Sequence, residues 1–173
     1  MSILCAALLA LVPALEAEQV KYRITGLFSR DREDDLREAV KRMTGVTLVS
    51  VDFDSGEATF EYDAAKLFKE SKPKDYLERF DNLLKSVSSH TFGARPPGTT
   101  PKDKLVRVEI AVAGNDCKGC DLAAYESISK IDGVEQATAS FKEGRVTALI
   151  DPARTSKAAL EEALKKRNVV LKN

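Results

Sequence analysis

The sequence predicts an α+β chain of two tandem βαββαβ domains, each a four-stranded antiparallel sheet covered by two helices. Three observations carry this. Shifting the chain by 88 positions superposes Gly26 on Gly114, Gly45 on Gly133, Gly56 on Gly144 and Asp63 on Asp151 without a gap. The same shift places Val20, Tyr22 and Ile24 on Val108, Ile110 and Val112, so one strand face repeats as well. Between the copies, Arg95-Pro96-Pro97-Gly98-Thr99-Thr100-Pro101 holds three prolines, which remove backbone donors and suit a linker.

In the second copy, Leu105 to Ala113 is β-branched and alternates around charged positions, which predicts a strand. Helical spacing follows from Cys120 to Ile131, with Leu122, Ala123, Tyr125, Ile128 and Ile131 as its apolar positions. Asp132-Gly133 ends that helix. Val134 to Phe141 and Arg145 to Ile150 form two strands around the turn Lys142-Glu143-Gly144. Thr155 or Ser156 caps a helix through Ala159, Leu160, Ala163 and Leu164, and Val169 to Leu171 closes the unit. The first copy follows the same order, but its second helix, Lys74 to Val87, arrives late after the polar stretch Lys69-Glu70-Ser71-Lys72-Pro73.

Domain boundaries are therefore expected at 19–94 and 104–173, joined by a linker at 95–103. Residues 1–18 read as an export leader. The apolar run Ile3 to Val12 is too short to span a bilayer, and small residues follow at Ala14 and Ala17, although no Lys or Arg precedes the run. A leader places the mature chain in the periplasm or outside the cell, with no membrane span. The competing reading of this segment is a buried N-terminal strand or helix. Removal of the leader also removes Cys5 and leaves only Cys117 and Cys120.

Composition excludes several classes. Lys+Arg and Asp+Glu both number 27, Trp is absent, and no basic cluster interleaves with aromatics, so nucleic acid is not an expected partner. With a single His there is no Ser/His/Asp grouping, and no phosphate-binding glycine loop occurs, so an enzyme is not expected.

The chemistry concentrates in Gly114-Asn115-Asp116-Cys117-Lys118-Gly119-Cys120. Two cysteines this close do not staple long loops, and their work is local. Two intervening residues let both sulfurs converge on one soft ion. The helix that starts there favours the thiolate form, and Lys118 adds positive charge. The same features suit thiol–disulfide exchange, although Asp116 rather than an aromatic precedes Cys117.

With Gly114, Cys117 and Cys120 in these places, Ile131-Asp132-Gly133-Val134 after the helix, and Asp151-Pro152-Ala153-Arg154-Thr155-Ser156 before the next, the stretch Lys104 to Leu171 resembles the heavy-metal-associated (HMA) family. That family is the ferredoxin-like module of copper chaperones, mercury-scavenging periplasmic proteins and metal-pumping P-type ATPases, and its loop reads Gly-Met-x-Cys-x-x-Cys. The resemblance implies one bound soft ion, Zn(II), Cd(II), Hg(II) or Cu(I), held by Cys117 and Cys120. It also implies transfer to a metal transporter or another HMA-type domain by ligand exchange. Asn115 stands where the family has methionine. Asp116 resembles the aspartate of zinc, cadmium and lead transporters and is a candidate third ligand; its competing role is a helix cap or solvated loop residue.

In the first copy, Ser29 falls opposite Cys117 and Arg32 opposite Cys120. A serine and a permanent cation oppose soft-metal binding, so this copy is expected to be structural or partner-docking. Asp31, Glu33, Asp34 and Asp35 match the helix dipole. His90 is expected to be an ordinary surface or core residue, and one of Lys165, Lys166 and Arg167 is a candidate to screen the thiolates. The expected function is soft-metal binding and transfer; the alternatives are thiol–disulfide exchange, or a noncatalytic interaction protein built on degenerate domains.

Overall fold

The computed structural model describes residues 17–114 and 117–172. The leader segment through residue 16, with Cys5, and the loop residues Asn115 and Asp116 lie outside the described residues. The first domain runs β1 (Glu18–Thr25), α1 (Arg32–Lys41), β2 (Val46–Asp52), β3 (Glu57–Tyr62), α2 (Ala64–Leu67), α3 (Tyr76–Val87) and β4 (Gly93–Arg95). The second runs β5 (Val106–Ala113), α4 (Lys118–Ile128), β6 (Val134–Ser140), β7 (Arg145–Ile150), α5 (Lys157–Lys166) and β8 (Val170–Leu171). The two sheets have orders β2-β3-β1-β4 and β6-β7-β5-β8, and all pairs are antiparallel. Two ferredoxin-like units in tandem are thus present.

The 88-residue period holds for the strand bounds through the first half of each unit, although the bulge in β2 and that in β6 fall at different positions. β1, β2 and β3 map onto β5, β6 and β7 residue for residue. The β2–β3 and β6–β7 turns share one geometry. Gly56 N donates to Phe53 O, and Gly144 N donates to Phe141 O, both at 3.2 Å. Both glycines have φ of +68°, the left-handed region that the turn demands.

After Asp63 and Asp151 the copies diverge. Asp151 leads through Ser156, whose hydroxyl caps α5, straight into that helix. Asp63 instead caps the single turn α2, and a 3-10 turn at Pro73–Asp75 then precedes α3. Proline at the start of that turn has no amide to lose, which explains why α3 begins at Tyr76 rather than Lys74. β1 opens at Glu18, Arg95 belongs to β4, and Lys102–Lys104 form a short turn inside the linker.

Each unit has its own core. Tyr22, Ile24, Leu36, Phe60, Phe80 and Leu84 anchor the first, and Ile110, Val112, Ile128, Val146, Leu160 and Leu164 the second. Phe60 and Phe80 are fully enclosed and meet edge to face at 4.7 Å, each ring contributing about 3 kcal/mol of burial. One residue crosses over: Phe28, from the first unit, packs against the second core.

The predicted apolar face of α4 is corrected by the structure. Leu122 is 41% exposed, and Ala123 is exposed too. The buried stripe is Asp121, Ala124, Tyr125 and Ile128, because a charged residue, Asp121, turns inward to serve a backbone amide. Among the described residues no helix is long and apolar enough to cross a membrane.

Candidate metal centre

The centre is built where β5 hands the chain to α4. Cys117 is the N-cap of α4, with extended backbone (φ −152°, ψ 104°), and its sulfur accepts the Cys120 N–H at 3.2 Å. Cys120 lies in the first turn, and both residues are partly exposed. Their Cα atoms are 5.2 Å apart and the sulfurs are joined as a disulfide. The four-residue ring sits at the positive end of the helix, where the free amides favour negative charge on sulfur once the bond is opened. Among the described residues no group of three or more His, Cys, Asp or Glu side chains could hold a metal ion. The described donors are therefore two sulfurs, and the third candidate, Asp116, lies outside the described residues.

The base of the loop is braced from the sheet. Gly114 faces the Phe141 ring so closely that a Cβ there would lie 2.5 Å from it. Phe141 N in turn donates to the buried Asp121 carboxylate at 2.7 Å, which ties α4 to the β6–β7 turn. Tyr125, two turns below Cys117, is buried, and its hydroxyl accepts the Gly26 N–H at 2.7 Å. Burial pushes that phenol up, partly opposed by the Gly26 hydrogen bond.

The counterpart loop of the first domain contains no thiol. The Ser29 hydroxyl donates to Asp31. That bond chiefly holds the Asp31 carboxyl below the usual range, and Lys118, 3.7 Å away, adds to the effect. The Arg32 guanidinium lies between the Phe28 and Phe92 rings, 5.2 and 5.1 Å from their centroids, and pairs with Asp35 at 2.7 Å. A fixed cation thus stands where the repeat places the second cysteine.

Other predicted residues are placed plainly. His90 is exposed in the turn after α3, with φ of +62°. Lys165, Lys166 and Arg167 are all exposed, and Lys166 pairs with Glu162 at 2.8 Å. Beside Lys118 a cleft of about 560 Å³ opens between the domains, lined by Arg30, Asp54, Arg107, Glu109, Asp121 and Arg145 among others. Several of its charges pair with one another: Asp54 pairs with Arg30 and Arg107 at 3.4 and 3.6 Å, and Glu109 pairs with Arg145 at 3.8 Å.

The residues that sequence reasoning missed are Asp121, Tyr125 and Phe28. Periodicity places Tyr125 on an apolar face, and nothing in a periodic pattern marks a hydroxyl that crosses to another domain. Phe53 and Phe141, matched at the 88-residue shift, are a signal that was available.

The second unit is a small βαββαβ module with a CxxC pair between its first strand and first helix. The heavy-metal-associated domain family model matches residues 109–168, and the second unit is a domain of that family. Over 161 residues the chain is 27% identical to Copper-transporting ATPase 2 of Homo sapiens, covering 84% of this chain and 11% of that protein. Over 65 residues it is 29% identical to the Zinc-transporting ATPase of Synechocystis sp. (strain ATCC 27184 / PCC 6803 / Kazusa), covering 38% and 9%. The chain thus spans about a tenth of the length of these curated relatives. Similar solved structures include oxidized MerP from Ralstonia metallidurans CH34, with 25% identity, TM-score 0.37, 39% of this chain and 94% of that chain. The N-terminal soluble domains of Bacillus subtilis CopA match at 21% identity and TM-score 0.37, covering 91% and 93%.

Proposed function

We propose that the second domain, in its dithiol state, holds one soft metal ion between Cys117 and Cys120 and passes it on by ligand exchange. The observation that carries this is the placement of both cysteines at the N-terminus of α4 within an HMA domain. The joined pair is then the oxidised, ion-free state. Opening it takes two electrons and two protons from a thiol reductant, yielding two thiols that release their protons as the ion binds. The ion is Zn(II), Cd(II), Hg(II) or Cu(I). Two thiolates suffice for Cu(I), whereas Zn(II) takes further ligands, for which Asp116 is the candidate. The recipient is a metal transporter or another HMA-type domain, in keeping with the transporting ATPases the chain resembles. The protein is a noncatalytic carrier of the cell envelope, delivered by the segment 1–18; N-terminal sequencing of exported protein tests that address.

Reduced protein is expected to retain about one equivalent of soft metal against a weak chelator. Cys117→Ser or Cys120→Ser abolishes retention and Ser29→Ala does not. Loss of all metal from the reduced wild type sinks the reading.

The disulfide favours a second reading, thiol–disulfide exchange. Turnover of a protein disulfide such as insulin, lost in Cys117→Ser, supports it; absence of turnover with metal retained decides for the carrier.

A further inference from the structure

The loop that lost its thiols has not become idle. Three consecutive residues of it bond to the second domain. Gly26 N donates to the Tyr125 hydroxyl at 2.7 Å, Leu27 O accepts from Gln136 Nε2 at 3.2 Å, and Phe28 O accepts from Ala139 N at 3.0 Å. The Phe28 ring lies 5.7 Å from Tyr125, and Asp31 reaches Lys118, which stands between the two cysteines. Arg32, gripped by Phe28 and Phe92, holds the loop in that shape. Gly26 has no alternative here: its φ is +95°, and a Cβ would lie 2.2 Å from Thr91 O.

Each of these contacts ends on α4 or on the strand beside it. Tyr125 and Lys118 belong to the helix whose first turn carries the disulfide, and Asp121 of that helix holds the turn under Gly114. α4 thus carries both the cysteine pair, in its first turn, and two residues of the docking face, Lys118 and Tyr125. We propose that the loop 26–32 is a docking element, braced by Arg32 as a built-in cation, and that docking of the first domain positions α4 in the geometry of the joined cysteine pair. Phe28, Arg32 and Tyr125 are positioning residues for the Cys117–Cys120 centre. The coupling is reciprocal: docking favours the disulfide, and opening the disulfide weakens docking. This depends on the cysteine pair being reducible and not on any metal.

The test is a redox equilibrium of the full chain with dithiothreitol. Reagent dithiol gives two electrons and two protons to the Cys117–Cys120 bond and closes to its own cyclic disulfide. The dithiol fraction is read by thiol alkylation and mass. Docking is followed by hydrogen exchange at the Gly26 and Ala139 amides. Phe28→Ala and Arg32→Ala are expected to raise exchange at both amides and to shift the equilibrium toward the dithiol by about fivefold or more. Tyr125→Phe, which removes one hydroxyl, serves where the larger changes unfold the first domain, and shifts it in the same direction. Glu162→Gln, exposed on α5, leaves both readouts unchanged. Undocked variants with an unchanged equilibrium, or with a more stable disulfide, overturn the proposal. If reduced protein binds no metal but the shift appears, only the carrier reading fails.

Discussion

Arg23 of β1 and Glu135 of β6 form an ion pair across the domain boundary, with only 19% and 7% of their side chains exposed. Glu135 is the extra residue of a bulge: Val134 pairs with Ile150 and Gln136 with Leu149, leaving Glu135 unmatched between them. In the first copy the bulge falls between Leu48 and Ser50, so the two edges are shaped differently. The bulge turns a charged side chain toward the neighbouring domain, and Arg154 of its own domain also approaches it at 3.9 Å. An edge displacement has become an attachment point.

Glu135→Gln is expected to destabilise the protein by about 2 kcal/mol, below the range for breaking a fully buried pair because Arg23 retains some solvent. Chemical unfolding of the single variants and of Arg23→Met/Glu135→Gln checks this. The double variant should recover part of the loss, and strict additivity would remove the pair as a unit. Asp31 and Lys118 are 62% and 90% exposed, and Asp31→Asn should cost under about 0.5 kcal/mol.

Asp121→Ala removes the acceptor of Phe141 N in a buried place. A loss of about 2 kcal/mol is expected, since the amide then lacks any partner. Faster hydrogen exchange at Phe141 is the accompanying local signature. Unchanged exchange there would show that another acceptor takes over.

The fold should weaken in alkali. Burial raises the Tyr22, Tyr62 and Tyr125 phenols, and the mutual Tyr22–Tyr62 hydrogen bond, at 2.6 Å, also raises Tyr62. A raised acid in the folded state contributes stability in full below the unfolded value of about 10, and that contribution falls as pH climbs beyond it. Urea midpoints should therefore decline as pH rises above about 10, and Tyr62→Phe should decline less steeply. A flat profile contradicts the assignment.

Asp116→Ala should weaken Zn(II) more than Cu(I), by about tenfold against little change, if its carboxylate completes the zinc shell. Competition titrations of reduced protein with both ions make the comparison. Equal losses leave Asp116 without a ligand role.

Much of the architecture was legible because period and punctuation are local. Gly45 and Gly133 end helices, and Val20-Tyr22-Ile24 repeats as Val108-Ile110-Val112. The cysteine pair was legible because two residues of spacing restrict what its sulfurs can do. Asp121 was not, since a charged residue on a helix looks solvent-facing until the strand turn it serves is folded beside it. Phe28 carries no motif signal and Arg32 reads only as a cation in a ligand's place; its stacking depends on Phe92, sixty positions later in the chain. The oxidation state of Cys117 and Cys120 depends on an electron balance that no residue pattern encodes.

The way Phe28 O receives Ala139 N has a consequence for dissecting the molecule. β6 is the outer strand of its sheet, rich in small and β-prone residues, and a loop of the first domain covers that edge through one backbone bond to Ala139. A fragment cut off before Thr100 would bare that edge together with the inward-facing Glu135 and Gln136. Bared edges recruit one another, so such a fragment should self-associate and precipitate where the whole chain stays dispersed. The domain without cysteines is, in this sense, a lifelong chaperone for the one that has them.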